Sequence, residues 1–182
     1  MSDYNYPEHL ESARLTSRYL SVADIKGWTD FFRDKDAVEL FPNFGNKSNE
    51  ERAKQWIERQ LIRYSEKRYG LQAILEKGSG NFLGMTGLLA QEVDGKQELE
   101  VGYHMFKKSW GQGFAPESAK MFIDFAFKNN LADSIVSIID TRNVRSQRVA
   151  LKNGLRREKH TRWMDLDVYI YRIKKNEWPV TA

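Results

Sequence analysis

The sequence predicts an α+β domain of mixed α/β order, with about seven strands around which four helices pack. Three observations carry that prediction. Three short strand-like segments follow one another between residues 69 and 106, joined by turns too short for a crossover. Two segments before them and two after them space their apolar residues as helices do. A strand–helix–strand unit spans residues 98–140, and such a unit in one sheet makes a parallel crossover.

In chain order, residues 1–12 are polar and are expected to form a loose leader. Arg14 to Val22 alternates as a strand. Asp24 is expected to cap a helix whose face is Ile25, Trp28, Phe31 and Phe32. Phe41-Pro42-Asn43-Phe44-Gly45-Asn46 is a loop of helix and strand breakers. Ser48 and Glu51 have capping-box spacing ahead of a helix carrying Ala53, Trp56, Ile57, Leu61 and Tyr64. Glu50 and Lys54 stand at i, i+4, worth only about 0.3 kcal/mol. Strands follow at Tyr69 to Lys77, Asn81 to Gln91 and Glu98 to Phe106, with Gly78-Ser79-Gly80 and the hairpin pair Asp94-Gly95 between them. The helix after Pro116 has Ala119, Phe122, Ile123, Ala126 and Phe127 on one face and ends at Asn129-Asn130. Ser134 to Asp140 reads as a strand covered on both faces. A helix from Val144 to Asn153 stops at Gly154, which suits a left-handed cap. Strands at Leu155 to Trp163 and Val168 to Lys174 complete the order β-α-α-β-β-β-α-β-α-β-β. With no repeat, low-complexity tract or linker, residues 1–182 are expected to form a single domain.

Composition narrows the function. A hydrophobic content of 41% and an aromatic content of 13% fit a globular chain. The absence of cysteine excludes a disulfide framework, a thiolate metal site and a cysteine nucleophile. The three histidines, His9, His104 and His160, lack metal-ligand spacing, so no metal is expected. The N-terminus has no signal-peptide pattern and no run reaches the ~18 apolar residues of a membrane span, so the expected address is cytoplasmic. The net charge of +4 is spread, and densest from Lys152 to Arg162. That group is a solvated surface or a contact for an anion, and a nucleotide cofactor accounts for it as well as nucleic acid does.

The organising stretch is Glu98 to Pro116, ELEVGYHMFKKSWGQGFAP. It reads as a strand, a turn with two glycines, and a helix start with Pro116 in the first turn. Such a turn collects main-chain N–H groups at the positive end of a helix dipole, which suits a phosphate or pyrophosphate. A mere tight connection has the same pattern. It is not a Walker loop, because no Gly-Lys-Ser/Thr closes it. The Rossmann fingerprint fits poorly, because its third glycine falls on Glu117-Ser118.

Trp110-Gly111-Gln112-Gly113-Phe114-Ala115 resembles the acetyl-CoA signature of the GNAT N-acetyltransferases, Arg/Gln-x-x-Gly-x-Gly/Ala, with Trp110 in place of Arg or Gln. Trp-Gly-x-Gly-Tyr/Phe-Ala, preceded by Glu-Val-Gly-Tyr as in Glu100 to Tyr103, is similar to the Rim-type (RimJ/RimL-like) branch, the ribosomal-protein-alanine N-acetyltransferases. A second marker lies about 30 residues on. Asn143-Val144-Arg145-Ser146 and Lys152-Asn153-Gly154-Leu155 resemble the GNAT run Asn-x-x-Ser then Lys-x-Gly-Phe, with Leu155 replacing Phe. Taken singly, Asn143 is a helix cap and Ser146 a first-turn residue. The resemblance covers residues 12–178 and is most specific over 98–155.

The resemblance implies the GNAT fold, a mixed sheet splayed after its fourth strand, and acetyl-CoA as co-substrate. It implies that the N–H groups of Gly111, Gln112, Gly113, Phe114 and Ala115 hold the pyrophosphate. It implies that main-chain groups near His104, Met105 and Phe106 bind the pantetheine as an added strand would. In the family a bulge in that strand frees an N–H for the thioester carbonyl, and Gly102 would make one easy. Asn143 would bond the pantetheine, and Ser146 would serve the leaving thiolate.

An amine must be neutral to attack. At pH 7 an α-amine is neutral in about one molecule in ten and a lysine amine in fewer than about one in a thousand. An N-terminal acceptor therefore asks little of a base, and a carboxylate acting through a water suffices. Glu100, on the central strand, is the candidate; pairing with a nearby arginine is the equally plain reading. His104 is the second candidate. The function expected is direct acetyl transfer to a primary amine, an N-terminal α-amine first. A small-molecule amine (polyamine, amino sugar or antibiotic) and a non-catalytic acyl-CoA-binding module are the alternatives. Expected partners are acetyl-CoA and the acceptor, without nucleic acid or membrane, with the protein a monomer or homodimer.

Overall fold

A computed structural model describes residues 6–41 and 44–179. The strands are β1 (Leu15–Arg18), β2 (Leu71–Glu76), β3 (Phe82–Val93), β4 (Lys96–Met105), β5 (Ser134–Asp140), β6 (Arg156–Trp163) and β7 (Leu166–Lys174). The helices are α1 (Asp24–Arg33), α2 (Lys35–Val38), α3 (Asn49–Ser65), α4 (Phe114–Lys128) and α5 (Val144–Lys152). The seven strands form one sheet in the order β1-β2-β3-β4-β5-β7-β6. β1 to β4 are antiparallel, β4 and β5 are parallel, and β5, β7 and β6 are again antiparallel.

The β3–β4 hairpin turns through Asp94 and Gly95, both at positive φ (50° and 73°), as a two-residue turn matched to strand twist requires. From there β4 pairs with β3 without a register shift, from Val93↔Lys96 to Gly84↔Met105. Gly102 lies opposite Gly87 within that regular ladder, so β4 carries no bulge against β3. On its other edge β4 meets β5 at a single pair, Glu100↔Val136. Beyond that pair the two strands separate, and the sheet opens into a fork.

Strand alternation sorts the side chains of β4. Leu99, Val101, Tyr103 and Met105 pack in the layer that holds Phe122, Ile123 and Ala126 of α4 and Ala150 of α5. On the opposite face, Trp28, Phe31 and Phe32 of α1 and Ala53 and Ile57 of α3 cover Leu71, Ala73 and Met85. The Ser48–Glu51 capping box starts α3 as the sequence predicts.

The structure differs from the sequence expectations at four points. Asp24 is the first residue of α1, not its cap. Its carboxylate instead accepts from the Ser21 N–H (2.8 Å) and from both Arg18 Nη groups (2.6 and 2.8 Å). Lys54 pairs with Glu58 (3.8 Å) rather than Glu50. A fifth helix, α2, forms because the Asp34 carboxylate caps the Asp36 and Ala37 N–H groups. Pro42 and Asn43 of the neighbouring breaker loop lie outside the described residues.

The fourth difference is the leader, which from Tyr6 onward is fastened. Tyr6 is buried, its hydroxyl donates to Gly70 O (2.6 Å) and it accepts from Leu88 N–H (3.1 Å). The basic group at Lys152 to Arg162, expected as a solvated surface or a contact for an anion, is largely exposed. It falls largely on β6, the edge strand, where charges discourage strand addition. There Lys159 pairs with Asp94 (2.6 Å) and Arg157 lies over the Tyr169 ring (4.7 Å). No helix among the described residues is long and apolar enough to cross a membrane.

Candidate active site

The fork and the glycine turn adjoin, because the turn follows β4 directly. Gly111 and Gly113 both have positive φ (75° and 81°). These angles, unfavourable for residues with a Cβ, roll the chain into α4. The first helical bond is Glu117 N–H to Gly113 O (3.2 Å). Among the described residues, the N–H groups of Gly111, Gln112, Gly113, Phe114 and Ala115 have no carbonyl partner. A Cβ at Gly111 would meet no atom within 4 Å, so the cradle is open. Five orphan donors at the mouth of a 15-residue helix fit a pyrophosphate.

Side chains frame the turn. Arg14 donates to Gln112 O (3.1 Å), stacks over Phe114 (4.5 Å) and pairs with Glu117 (2.6 Å). Trp110 donates from Nε1 to Met105 O (2.9 Å), and Arg145 of α5 lies over its ring (4.1 Å). The indole therefore ties the strand end, the turn and α5 together. The sequence alone does not single out Arg14 or Arg145.

The register of β4 revises which main-chain groups face the fork. Phe106 N–H donates to Leu83 O (3.0 Å). Alternation then turns the main chain of His104 and Phe106 toward β3. Tyr103 and Met105 face the other way, as does Val101, whose carbonyl accepts from Ser137 Oγ of β5 (3.0 Å). The Met105 carbonyl is already taken by Trp110, which leaves Met105 N–H and both Tyr103 groups for a strand-like ligand. The main-chain groups of His104 and Phe106, expected at the pantetheine, thus face β3 rather than the fork, and sequence cannot show which edge a residue faces.

Asn143 caps α5, its Oδ1 accepting from Ser146 N–H (3.0 Å). Its amide NH₂ remains as a donor. Ser146 is half-buried in the first turn of α5, and its carbonyl accepts from the Tyr103 hydroxyl (2.9 Å). Burial pushes the Tyr103 phenol up, so it stays protonated. Tyr103 thus spans the fork from β4 to α5 and is a further candidate. Its only sequence signal is a polar-tipped aromatic at an inward position of β4.

Glu100 and His104 lie on the opposite face of β4 from Tyr103. Glu100 is buried at the apex of the fork, accepting from Gln91 Nε2 (2.8 Å) and from Ile138 N–H of β5 (3.3 Å). Burial pushes its carboxyl up, while those two donors and the charge of Arg63 pull it back. The carboxylate thus fills a ladder position that the separating strands leave vacant. His104 is half-buried against Phe41 (4.9 Å), Trp56 (5.4 Å) and Phe31 (6.4 Å). These apolar surroundings pull its pKa down to about 4, so it is neutral at pH 7. Among the described residues no group of three His, Cys, Asp or Glu stands ready to hold a metal ion.

A forked sheet with an N–H cradle at the fork's mouth defines an acyl-CoA-binding acyltransferase architecture. Residues 14–156 match the family model of the acetyltransferase (GNAT) domain, and the chain belongs to that family. Its fold is the GNAT fold, and it is an acyltransferase. Enzymes of this family use acetyl-CoA. The chain is 28% identical over 145 residues to the uncharacterized protein YkkB of Bacillus subtilis, covering 79% of this chain and 81% of that one. It is 24% identical over 180 residues to the uncharacterized N-acetyltransferase p20 of Bacillus licheniformis, covering 94% and 98%. Among solved structures it is similar in fold to Mycobacterium smegmatis RimJ in complex with CoA-disulfide (TM-score 0.80, 18% identity, covering 96% and 90%). It is also similar to the ribosomal-protein-S5-alanine acetyltransferase of Vibrio fischeri (TM-score 0.70, 16% identity, covering 94% and 98%).

Proposed function

We propose that this protein is a Rim-type N-acetyltransferase that moves the acetyl group of acetyl-CoA directly to a primary amine, the α-amine of a protein N-terminus. The observation that carries this reading is the single β4–β5 pair at Glu100↔Val136, opening beside five partnerless N–H groups. The N–H groups of Gly111 to Ala115 hold the pyrophosphate. Met105 N–H, the Tyr103 main chain and the Asn143 amide take the pantetheine amides, which need partners once buried. That arrangement lays the thioester in the fork, between Ser146 on one face and Glu100 and His104 on the other.

The amine enters from the Glu100 face and attacks the thioester carbon. Glu100 takes the ammonium proton through a water; its two engaged oxygens keep lone pairs for that bond. His104, neutral and making no side-chain hydrogen bond among the described residues, is the rival acceptor. The tetrahedral intermediate collapses to the amide, and the departing thiolate receives a proton from the Ser146 hydroxyl, which regains one through water from the proton that Glu100 took up. Direct transfer needs no acyl-enzyme.

The test is thiol release from acetyl-CoA with a panel of N-terminal peptides and small amines. Turnover on peptides supports the reading. Turnover confined to free amines would move the acceptor to a small molecule. Thermal stabilisation by CoA without turnover on any acceptor would leave a binding module.

A further inference from the structure

The acceptor side of the fork carries a feature that acetyl transfer alone does not require. On α3, residues 52, 56, 59 and 63 recur at i, i+4, i+7 and i+11, one helix face beside the buried stripe of Ala53, Ile57 and Gln60. That face reads Arg-Trp-Arg-Arg. It is turned toward β4, since the Trp56 ring meets His104 at 5.4 Å and the charge of Arg63 acts on the Glu100 carboxylate. Trp56 near His104 and Arg63 near Glu100 set α3 antiparallel to β4 along the acceptor groove.

These arginines are not consumed by the fold. Among the described residues, the side chains of Arg59 and Arg63 make no hydrogen bond or ion pair; the guanidinium of Arg59 only lies over the Phe44 ring (5.7 Å). Arg63 is half-buried, and its removal from water together with the like charges of Arg68 and Arg59 holds its pKa below the usual arginine value. Arg52 donates from Nη2 to Gly45 O (3.2 Å), while its Nε and the Trp56 Nε1 are buried without a partner. Partly desolvated cations and orphan donors in one stripe are costly unless an acceptor group meets them.

The acids nearby are engaged elsewhere. Glu98 takes both Nη groups of Arg172 (2.7 and 2.8 Å), Asp36 is held by Lys107, and Glu58 pairs with Lys54. Among the described residues, Glu100 is the acid whose charge acts on Arg63, at the fork where the amine must sit. The groove is therefore negative at one point and positive along one wall.

We infer that the acceptor is an amine that also bears a carboxylate, its nitrogen at the Glu100 end of the fork and its acid group on Arg63 and Arg59. This rests on the acetyl-transfer reading and adds the acceptor's charge to it. Polyamines and aminoglycosides, with cations throughout, meet the wrong wall. The carboxylate can come from an acidic side chain next to a peptide N-terminus or from a small free amino acid. The two sources share the chemistry that Arg63 recognises.

The experiment compares kcat/KM for three peptides that share residue 1 and differ at residues 2 and 3: Asp-Glu, Asn-Gln and Lys-Arg. Free aspartate and glutamate form a fourth arm. The acidic peptide is expected to exceed the neutral one by about tenfold, with the basic peptide lowest, and 0.5 M salt is expected to shrink the gap, roughly as screening of a partly exposed charge pair dictates. Arg59→Glu, on an exposed position, should erase or reverse the order, and Arg63→Gln should raise KM for the acidic peptide. Stabilisation by CoA verifies that both variants fold. Free amino acids matching the acidic peptide would assign the small-molecule source; peptides alone would assign the N-terminal source. Equal turnover of all three peptides, or an order unchanged in both variants, would overturn this inference while leaving acetyl transfer intact. CoA binding with no turnover on any arm would overturn the transfer reading, and this inference with it.

Discussion

Ser146 and Gly113 show how single positions divide the work of the site. Ser146 has its N–H capped by Asn143 and its carbonyl held by Tyr103, whose phenol its hydroxyl also approaches; the proposed role would turn that hydroxyl to the thiolate. Ser146→Ala is expected to lower kcat by about 10²-fold, as loss of a positioned acid does, with little change in CoA affinity. Calorimetric CoA titration beside steady-state kinetics checks this; unaltered kcat would remove the acid role. Gly113 carries φ 81°, and a Cβ there would stand 3.4 Å from Arg14 Nη2. Gly113→Ala should cost about 1–2 kcal/mol of backbone strain. It should also weaken CoA binding, because the neighbouring N–H groups would be re-aimed. A thermal melt with and without CoA reads both effects. The turn glycines Gly111 and Gly113 were legible in the sequence. Arg14 and Tyr103 were not, because their roles depend on partners 98 and 43 residues away in the chain.

At the scale of elements, capping separates structure from chemistry. Ser48 caps α3 and Asn143 caps α5 through the same kind of bond, each to an N–H three residues on. Ser48→Ala and Asn143→Ala should each cost about 1 kcal/mol, seen as a lower urea midpoint. Acetyl transfer should survive the first and fall with the second, since Asn143 borders the fork and sets the turn that carries Ser146. Equal activities would reduce Asn143 to a cap. Periodicity predicts β5 with the same bounds as observed, because a fully covered strand writes a continuous apolar run. The short α2 escaped it, since four residues hold no helical period and the Asp34 cap alone identifies them. The fastened stretch from Tyr6 escaped it too: its polar composition conceals one buried tyrosine whose hydroxyl finds partners at Gly70 and Leu88.

Across the whole molecule, the two layers on the sheet place an ionisable ring in an apolar box. His104 is held near pKa 4 in the folded state against about 6.5 in the unfolded chain. The unfolded state therefore takes up the proton first as pH falls. Stability from the neutral ring is complete above about pH 6.5 and is lost progressively toward pH 4. His104→Phe should flatten the fall in urea-unfolding free energy between pH 6.5 and 4; an unchanged slope would show that other groups dominate that window. The sequence by itself determined the order of the elements apart from α2, the glycine turn and the two family markers, because period, turn chemistry and motif are local properties written within a few residues. Only the tertiary structure decided which edge of β4 faces the fork, that Glu100 stands at its apex bonded to Ile138, and that the charge of Arg63 on α3 acts on that carboxylate. Those facts depend on strand register and helix rotation, which packing between distant segments sets and no single stretch encodes.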